Sequence, residues 1–262
     1  MEYLVYTIGF FVGASLISFY VTLGERILRF FYGLERKGLI LKQKIYKILF
    51  LPSSCNQCGK RIGTLHLIPV FGYFFSSQKC PECKSQIPFY YPVSEFMGGL
   101  VFFYSYLVFK NWFLSICLLV LFGHLLISIY TDSKKYSLDY ENYPFILLSG
   151  LGFNHILTGV FFPKESFFVF IGFFLFYILI YFIYKRGIGL GDVFFAPILG
   201  FICGHPWWIL YFNISYISAV AFTILLRDKG KSLKGARIPM GAYLAFGTMI
   251  TFLAKIYYYK GF

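Results

Sequence analysis

Long apolar runs alternate with short polar segments along the chain. A bilayer core requires about 20 predominantly apolar residues per helix, and eight runs approach or reach that length. The sixth run is short and leads into His205-Pro206, so its boundary with the seventh run is open. The pattern predicts an all-α polytopic membrane protein with about eight transmembrane helices. These helices are expected at residues 3–24, 93–109, 112–131, 143–162, 166–184, 192–205, 206–226 and 240–259.

The composition excludes a soluble globular domain and a disordered chain. Of the 262 residues, 58% are hydrophobic and 13% are charged, and the mean hydropathy is +0.69. A net charge of +13 would suggest a nucleic-acid partner in a soluble protein. Here the basic residues are separated by apolar runs, so we expect contacts with anionic membrane lipids and no nucleic-acid partner.

Basic residues are distributed unequally between the two sets of loops that such helices define. All but four of the 24 Lys and Arg residues fall in one set, and the excess persists when its longest loop is left out. By the positive-inside rule this set is cytoplasmic, and both termini lie outside. The cytoplasmic set comprises residues 25–92, 132–142, 185–191 and 227–239, and the remaining basic residues are Lys110, Lys164, Lys255 and Lys260.

The longest loop divides the chain into three parts. Residues 1–24 form the first transmembrane helix, residues 25–92 form a cytoplasmic basic segment, and residues 93–262 contain the other transmembrane helices. Within the loop, residues 27–50 mix apolar and basic side chains, which suits a helix lying in the membrane interface. A solvated linker is the alternative. The sequence shows no internal repeat.

Two Cys-x-x-Cys motifs lie in the same loop. Cys55 and Cys58 form the first motif, and Cys80 and Cys83 form the second. Four thiolates at this spacing close a tetrahedral Zn²⁺ site without an open position, as in structural sites. Cytoplasmic thiols stay reduced, so disulfides are not expected; four unrelated free cysteines are the alternative. We predict a zinc-ribbon-like insertion between the first two transmembrane helices, in which the metal stabilises a small fold.

Two aspartates stand at the ends of apolar runs on the predicted cytoplasmic side. Asp132 ends the third run, and Asp192 opens the sixth, where it follows Gly189 and Gly191 in a Gly-x-Gly-Asp motif. Ionisable groups at membrane depth are costly and usually functional, and the glycines permit close approach of a substrate strand. Paired carboxylates can act as base and acid in hydrolysis. A water-exposed acid at a helix end is the alternative for Asp132.

Four sequence elements occur in a characteristic order. They are Gly13-Ala14-Ser15 with Arg26, the cysteine segment from Pro52 to Glu95, GLGDVFFAPILGFICG, and Arg237-Ile238-Pro239-Met240-Gly241-Ala242. Together they resemble the prepilin peptidases, also called type IV leader peptidases, of bacterial type IV pilus and type II secretion systems. The resemblance extends over almost the whole chain.

The resemblance implies an intramembrane-type aspartic endopeptidase whose catalytic pair is Asp132 and Asp192, in a peptidase domain at residues 93–262. Such enzymes lie in the bacterial inner membrane and cleave prepilins and pseudopilins after a glycine, at the end of a basic leader. Many also methylate the new N-terminal residue with S-adenosylmethionine. The chain has no Gly-x-Gly-x-x-Gly nucleotide loop, so methylation is implied by the resemblance alone.

Three positions depart from the family pattern. Leu138-Asp139 lacks the usual intervening proline, Phe194 stands where Lys is usual, and Ala242 stands where Pro is usual. These departures favour the alternative of a non-catalytic assembly or scaffold protein that retains the zinc module, whereas retention of both aspartates argues against it. A transporter that uses the aspartates as a proton site would have pseudosymmetric halves, which the sequence does not show.

Glu25 and Glu95 lie near the predicted inner face, at the end of the first span and the start of the second. A basic leader requires acidic partners on a strongly basic enzyme, so both residues are candidates for binding the leader. Local salt bridges, such as one between Glu25 and Arg26, are the alternative.

Overall fold

The computed structural model of the chain describes residues 2–184, 188–225 and 237–259. Residues 185–187 and 227–236 of two predicted cytoplasmic loops lie outside the described residues, as do Leu226, at the end of the seventh predicted run, and Lys260. The helices of the described part are α1 (Glu2–Ile27), α2 (Leu41–Phe50), α3 (Phe71–Phe75), α4 (Tyr90–Phe109), α5 (Trp112–Lys135), α6 (Tyr143–Thr158), α7 (Lys164–Ile183), α8 (Leu190–Cys203), α9 (Trp208–Leu225) and α10 (Met240–Tyr259).

The predicted all-α membrane architecture is confirmed. Helices α1 and α4–α10 coincide with the eight predicted apolar runs. Among the described residues, 6 helices are long and apolar enough to cross a membrane, namely α1, α4, α5, α7, α9 and α10. Helix α6 has 16 residues and α8 has 14, so the number of eight complete spans stays a prediction.

The chain divides into two compact units, Met1–Leu119 and Val120–Phe262. In the first unit, α1 packs along α4. Arg26 near the end of α1 donates a hydrogen bond to the carbonyl oxygen of Ile48 at 2.9 Å, and this bond holds the C-terminal end of α2. Leu41, Ile45 and Leu49 are exposed on α2 at the spacing of one helical face, as expected of an interfacial helix.

In the second unit, α8 packs against α6, α7, α9 and α10. A helix of 14 residues is about 21 Å long, less than a bilayer core, but protein surrounds it. The Ile202 carbonyl in its last turn accepts hydrogen bonds from Asn154 Nδ2 at 2.7 Å and Lys255 Nζ at 3.4 Å. Lys255 is therefore a buried residue of α10, and we were wrong to count it as a loop charge. Its removal from that count enlarges the predicted charge difference between the two sides.

Candidate functional site

The two Cys-x-x-Cys motifs fold into knuckles with the same hydrogen bonds. The Cys55 N–H donates to Lys60 O, and the Cys80 N–H donates to Ser85 O, both at 2.9 Å. The two segments share this geometry although they have little sequence in common beyond their cysteines. Each knuckle is closed by an antiparallel bridge, between Ser54 and Arg61 in the first and between Lys79 and Gln86 in the second.

The four cysteine sulfurs form one cluster. All four lie within 4.8 Å of one another; the Cys55–Cys83 and Cys58–Cys80 sulfur pairs are 3.7 and 3.9 Å apart. Tetrahedral zinc with Zn–S bonds of about 2.3 Å requires sulfurs about 3.8 Å apart. Backbone N–H groups of Cys58 and Gln57 lower the pKa of the Cys55 thiol to about 6. Burial and the neighbouring thiols raise the pKa of Cys58 to about 11, so without a metal the four thiols do not all ionise together. The donor set therefore fits a closed zinc site.

Glu25 and Glu95 both hold hydrogen bonds inside the first unit. The Glu25 carboxylate accepts the hydroxyls of Tyr90 and Tyr91. Glu95 accepts the Ser18 hydroxyl at 2.6 Å and the Val70 N–H at 2.7 Å. These bonds connect α1, the cysteine segment and α4. A contribution to leader binding stays a prediction for both residues.

Asp132 lies near the C-terminal end of α5, and its side chain is buried. Its Oδ2 atom accepts the N–H of Ala242 at 2.9 Å, and the Gly241 amide is a second donor. Both amides belong to the first turn of α10, where unpaired N–H groups and the helix dipole favour an anion. A Cβ at Gly241 would lie 3.0 Å from Asp132 Oδ2 and 2.8 Å from Leu138. The absence of a side chain at 241 thus permits the carboxylate to approach the helix end.

Asp192 lies in the first turn of α8, three residues after its N-cap, Gly189. Its amide donates to Gly189 O at 3.1 Å, and its carboxylate accepts from the Gly189 backbone. The bond from the Gly189 N–H to the Asp192 carboxylate is the half of a capping box that the N3 side chain supplies. Asp132 is close enough to interact electrostatically with Asp192. The structure therefore brings the two predicted aspartates together at one end of α5, α8 and α10.

Two further residues complete this arrangement. Leu138 is buried and contacts both glycine turns; a Cβ at Gly191 would lie 3.4 Å from its side chain, and one at Gly241 would lie 2.8 Å from it. The Tyr143 hydroxyl donates to the carbonyl oxygen of Gly191 at 3.2 Å. Sequence reasoning gave neither residue a role. The one signal was that Leu138 follows the first aspartate closely, in a loop that departs from the family pattern.

Comparisons with known proteins match both halves of the chain. A model described as the Bacterial Peptidase A24 N-terminal domain matches residues 11–109, and the Type IV leader peptidase family model matches residues 119–224. No solved structure gives a significant match.

Curated relatives are similar over most of their length. Three of them are each named prepilin leader peptidase/N-methyltransferase. The one from Stutzerimonas stutzeri is 30% identical over 218 residues (78% of this chain and 73% of the relative), and the one from Pseudomonas aeruginosa is 29% identical over 224 residues (81% and 74%). The one from Bacillus subtilis is 24% identical over 252 residues (94% and 93%).

Proposed function

Because the chain belongs to the type IV leader peptidase family, we propose that it is a membrane aspartic endopeptidase of the Gly-x-Gly-Asp type. Its substrates are prepilins or pseudopilins, whose basic leader it removes after a glycine. The observation that carries this proposal is the approach of Asp132 to Asp192 on helices of one compact unit. A scaffold protein would have no need to hold two acidic side chains close together.

The two carboxyl groups supply the proton transfers that peptide hydrolysis requires. One carboxylate takes a proton from water, whose oxygen attacks the scissile carbonyl carbon. The other, as a carboxylic acid, protonates the leaving amine when the C–N bond of the tetrahedral intermediate breaks. The glycines at 189 and 191 let the substrate backbone come close to Asp192. No covalent acyl-enzyme forms.

Conservative substitutions test this reaction. Asp132→Asn and Asp192→Asn keep the side-chain shape and remove a proton-transfer group. We expect each variant to lose leader cleavage by at least 10²–10⁴-fold while its melting temperature stays near that of the wild type. Glu165→Asn, at an exposed acid at the start of α7, is the control. Cleavage by either aspartate variant at nearly the wild-type rate would support the scaffold alternative.

The enzyme lies in the bacterial inner membrane in this proposal, with both termini outside and the zinc loop in the cytoplasm. The charge distribution supports this orientation, and it places the aspartate site at the inner face, where a basic leader ends. Both water and the leader peptide can reach the aspartates at the inner face. A single cysteine at position 110 or 164 should react with an impermeant external reagent. One at position 134 should not, and the opposite result would reverse the orientation.

Methyl transfer is the second activity, supported by the names of the curated relatives. The first unit has a cavity of about 320 Å³ that Glu95, Tyr91 and His66 help to line, a size typical of small-molecule sites. The His66 Nδ1 atom is buried there without a hydrogen-bond partner among the described residues. These residues fit S-adenosylmethionine: Glu95 would bind its ammonium group and His66 a hydroxyl or ring nitrogen. Bound S-adenosylmethionine would supply an activated methyl group.

Binding of S-adenosylmethionine can be measured on the intact protein without any pilin. We expect Glu95→Gln to weaken binding by at least tenfold in calorimetry, because the carboxylate is lost inside the cavity. Glu82→Gln is the control, since Glu82 is an exposed acid paired with Lys60. If the wild type, Glu95→Gln and Glu82→Gln bound S-adenosylmethionine with equal affinity, this cavity would be excluded as the binding site.

A further inference from the structure

Tyr143 connects the start of α6 to the turn that precedes Asp192. Its hydroxyl donates to Gly191 O at 3.2 Å. Its ring stacks on Phe195, one turn further along α8, with the ring centroids 5.2 Å apart. The side chain is 6% exposed. Tyr143 therefore touches α8 at the peptide group from which Asp192 extends.

The backbone beside Tyr143 is held against α5, the helix that carries Asp132. Its neighbour Asn142 donates to His124 O at 2.7 Å and to Ser128 Oγ at 3.0 Å, both on α5. Asn142 is itself buried, which strengthens these bonds relative to exposed ones. The backbone at the start of α6 is thus joined to α5, and the Tyr143 side chain reaches from there to α8.

The Tyr143 hydroxyl adds a contact from outside the helix to the Gly191 carbonyl. Glycine at 191 has no side chain whose packing could restrict the peptide plane, and glycine backbones adopt many conformations. A carbonyl oxygen has two lone pairs, so Gly191 O can serve the helix and the Tyr143 hydroxyl together. Tyr143 also lies within electrostatic range of both Asp132 and Asp192.

We propose that Tyr143 is a positioning residue that holds the Asp192 turn in register with Asp132 through its hydrogen bond to Gly191. The inference rests on the proposed aspartic peptidase activity. It assigns the tyrosine no contact with the substrate and no proton transfer. Its effect should therefore appear in turnover rather than in substrate binding.

Tyr143→Phe removes only the hydroxyl and keeps the ring on Phe195. The matched control is Tyr211→Phe, because Tyr211 is a fully buried tyrosine whose hydroxyl donates to another α8 carbonyl, Ala196 O, at 3.3 Å. Both variants lose one tyrosine hydrogen bond to α8, so they should lose similar melting temperature. We expect kcat for leader cleavage to fall about 5- to 10-fold in Tyr143→Phe only, the scale of one hydrogen bond, with KM unchanged in both.

A second measurement separates positioning from general destabilisation. In an Asp192→Asn background, Tyr143→Phe should cause no further loss of residual cleavage, because the residue acts through Asp192. Equal kcat for Tyr143→Phe and Tyr211→Phe, or an additive loss in the Asp192→Asn background, would overturn the inference. Wild-type protein that leaves prepilin uncut would reject the proposed function, and the positioning role with it.

Discussion

The cysteine cluster and the aspartate site hold their functional side chains by different kinds of contact. Each cysteine knuckle is closed by hydrogen bonds between residues about five positions apart, such as Cys55 N–H to Lys60 O. The Asp132 carboxylate instead accepts the amide of Ala242, 110 residues further along the chain. The first site is a property of two short segments. The second exists only when α5, α8 and α10 pack correctly.

This difference separates stability from activity. A zinc ion would cross-link two segments that have little apolar core of their own, so loss of a ligand should unfold them. The aspartates lie in a unit whose core is formed by large apolar side chains such as Phe195 and Phe252. Changes to its polar contacts should therefore alter the reaction more than the fold.

The largest effect is expected from Cys80→Ser in the zinc module. Cys80 is the buried member of the cluster, and serine is a poor zinc ligand. We expect the variant to lose its zinc equivalent and several kcal/mol of stability in the first unit, on the scale of structural zinc sites. Cys117→Ser is the control, because Cys117 lies singly in α5 outside the cluster. Metal analysis and thermal unfolding measure both.

Leader cleavage by the folded fraction of the Cys80→Ser variant tests whether zinc takes part in the reaction. Per folded molecule, the rate should stay within about threefold of the wild type, since a closed zinc site supplies no reacting group. Abolished cleavage at an unchanged melting temperature would contradict the separation of stability from chemistry.

The same difference explains what the sequence could predict. The Cys-x-x-Cys spacing fixes two ligands within each knuckle, so Cys55 and Cys58 were identifiable without any knowledge of the fold. Asp192 was identifiable from its glycines, but its approach to Asp132 was inferred only from topology. Leu138 and Tyr143 have no motif, because their contacts with Gly191 depend on how the loop after α5 and the start of α6 pack against α8.

Ala242→Pro tests the long-range contact of Asp132. Proline has no N–H, so this variant loses the bond from residue 242 to Asp132. Proline is tolerated in the first turn of a helix, and α10 should form. We expect cleavage to fall about 10- to 100-fold, the scale of a hydrogen bond to a charged group.

Ala242→Gly is the control for this variant, because it keeps the N–H and removes only the methyl group. It should retain most of the wild-type rate. Equal rates for the proline and glycine variants, measured on protein of equal folded fraction, would show that the amide of residue 242 does not support Asp132.

The smallest expected effect concerns the equivalence of the two knuckles. Gly59 and Lys84 occupy the same position, one residue after the second cysteine, and both have left-handed backbones, with φ of 71° and 56°. Such a conformation costs a residue with a side chain about 1 kcal/mol relative to glycine. A Cβ at Gly59 would meet no atom of the described residues within 4 Å, so only the backbone differs there. Lys84→Gly should therefore raise the stability of the module by about 1 kcal/mol. Gly59→Lys should lower it by a similar amount, and the double variant should melt near the wild type with zinc retained. If Lys84→Gly instead lowered the melting temperature while Gly59→Lys left it unchanged, the knuckles would not be energetically equivalent despite their shared hydrogen bonds.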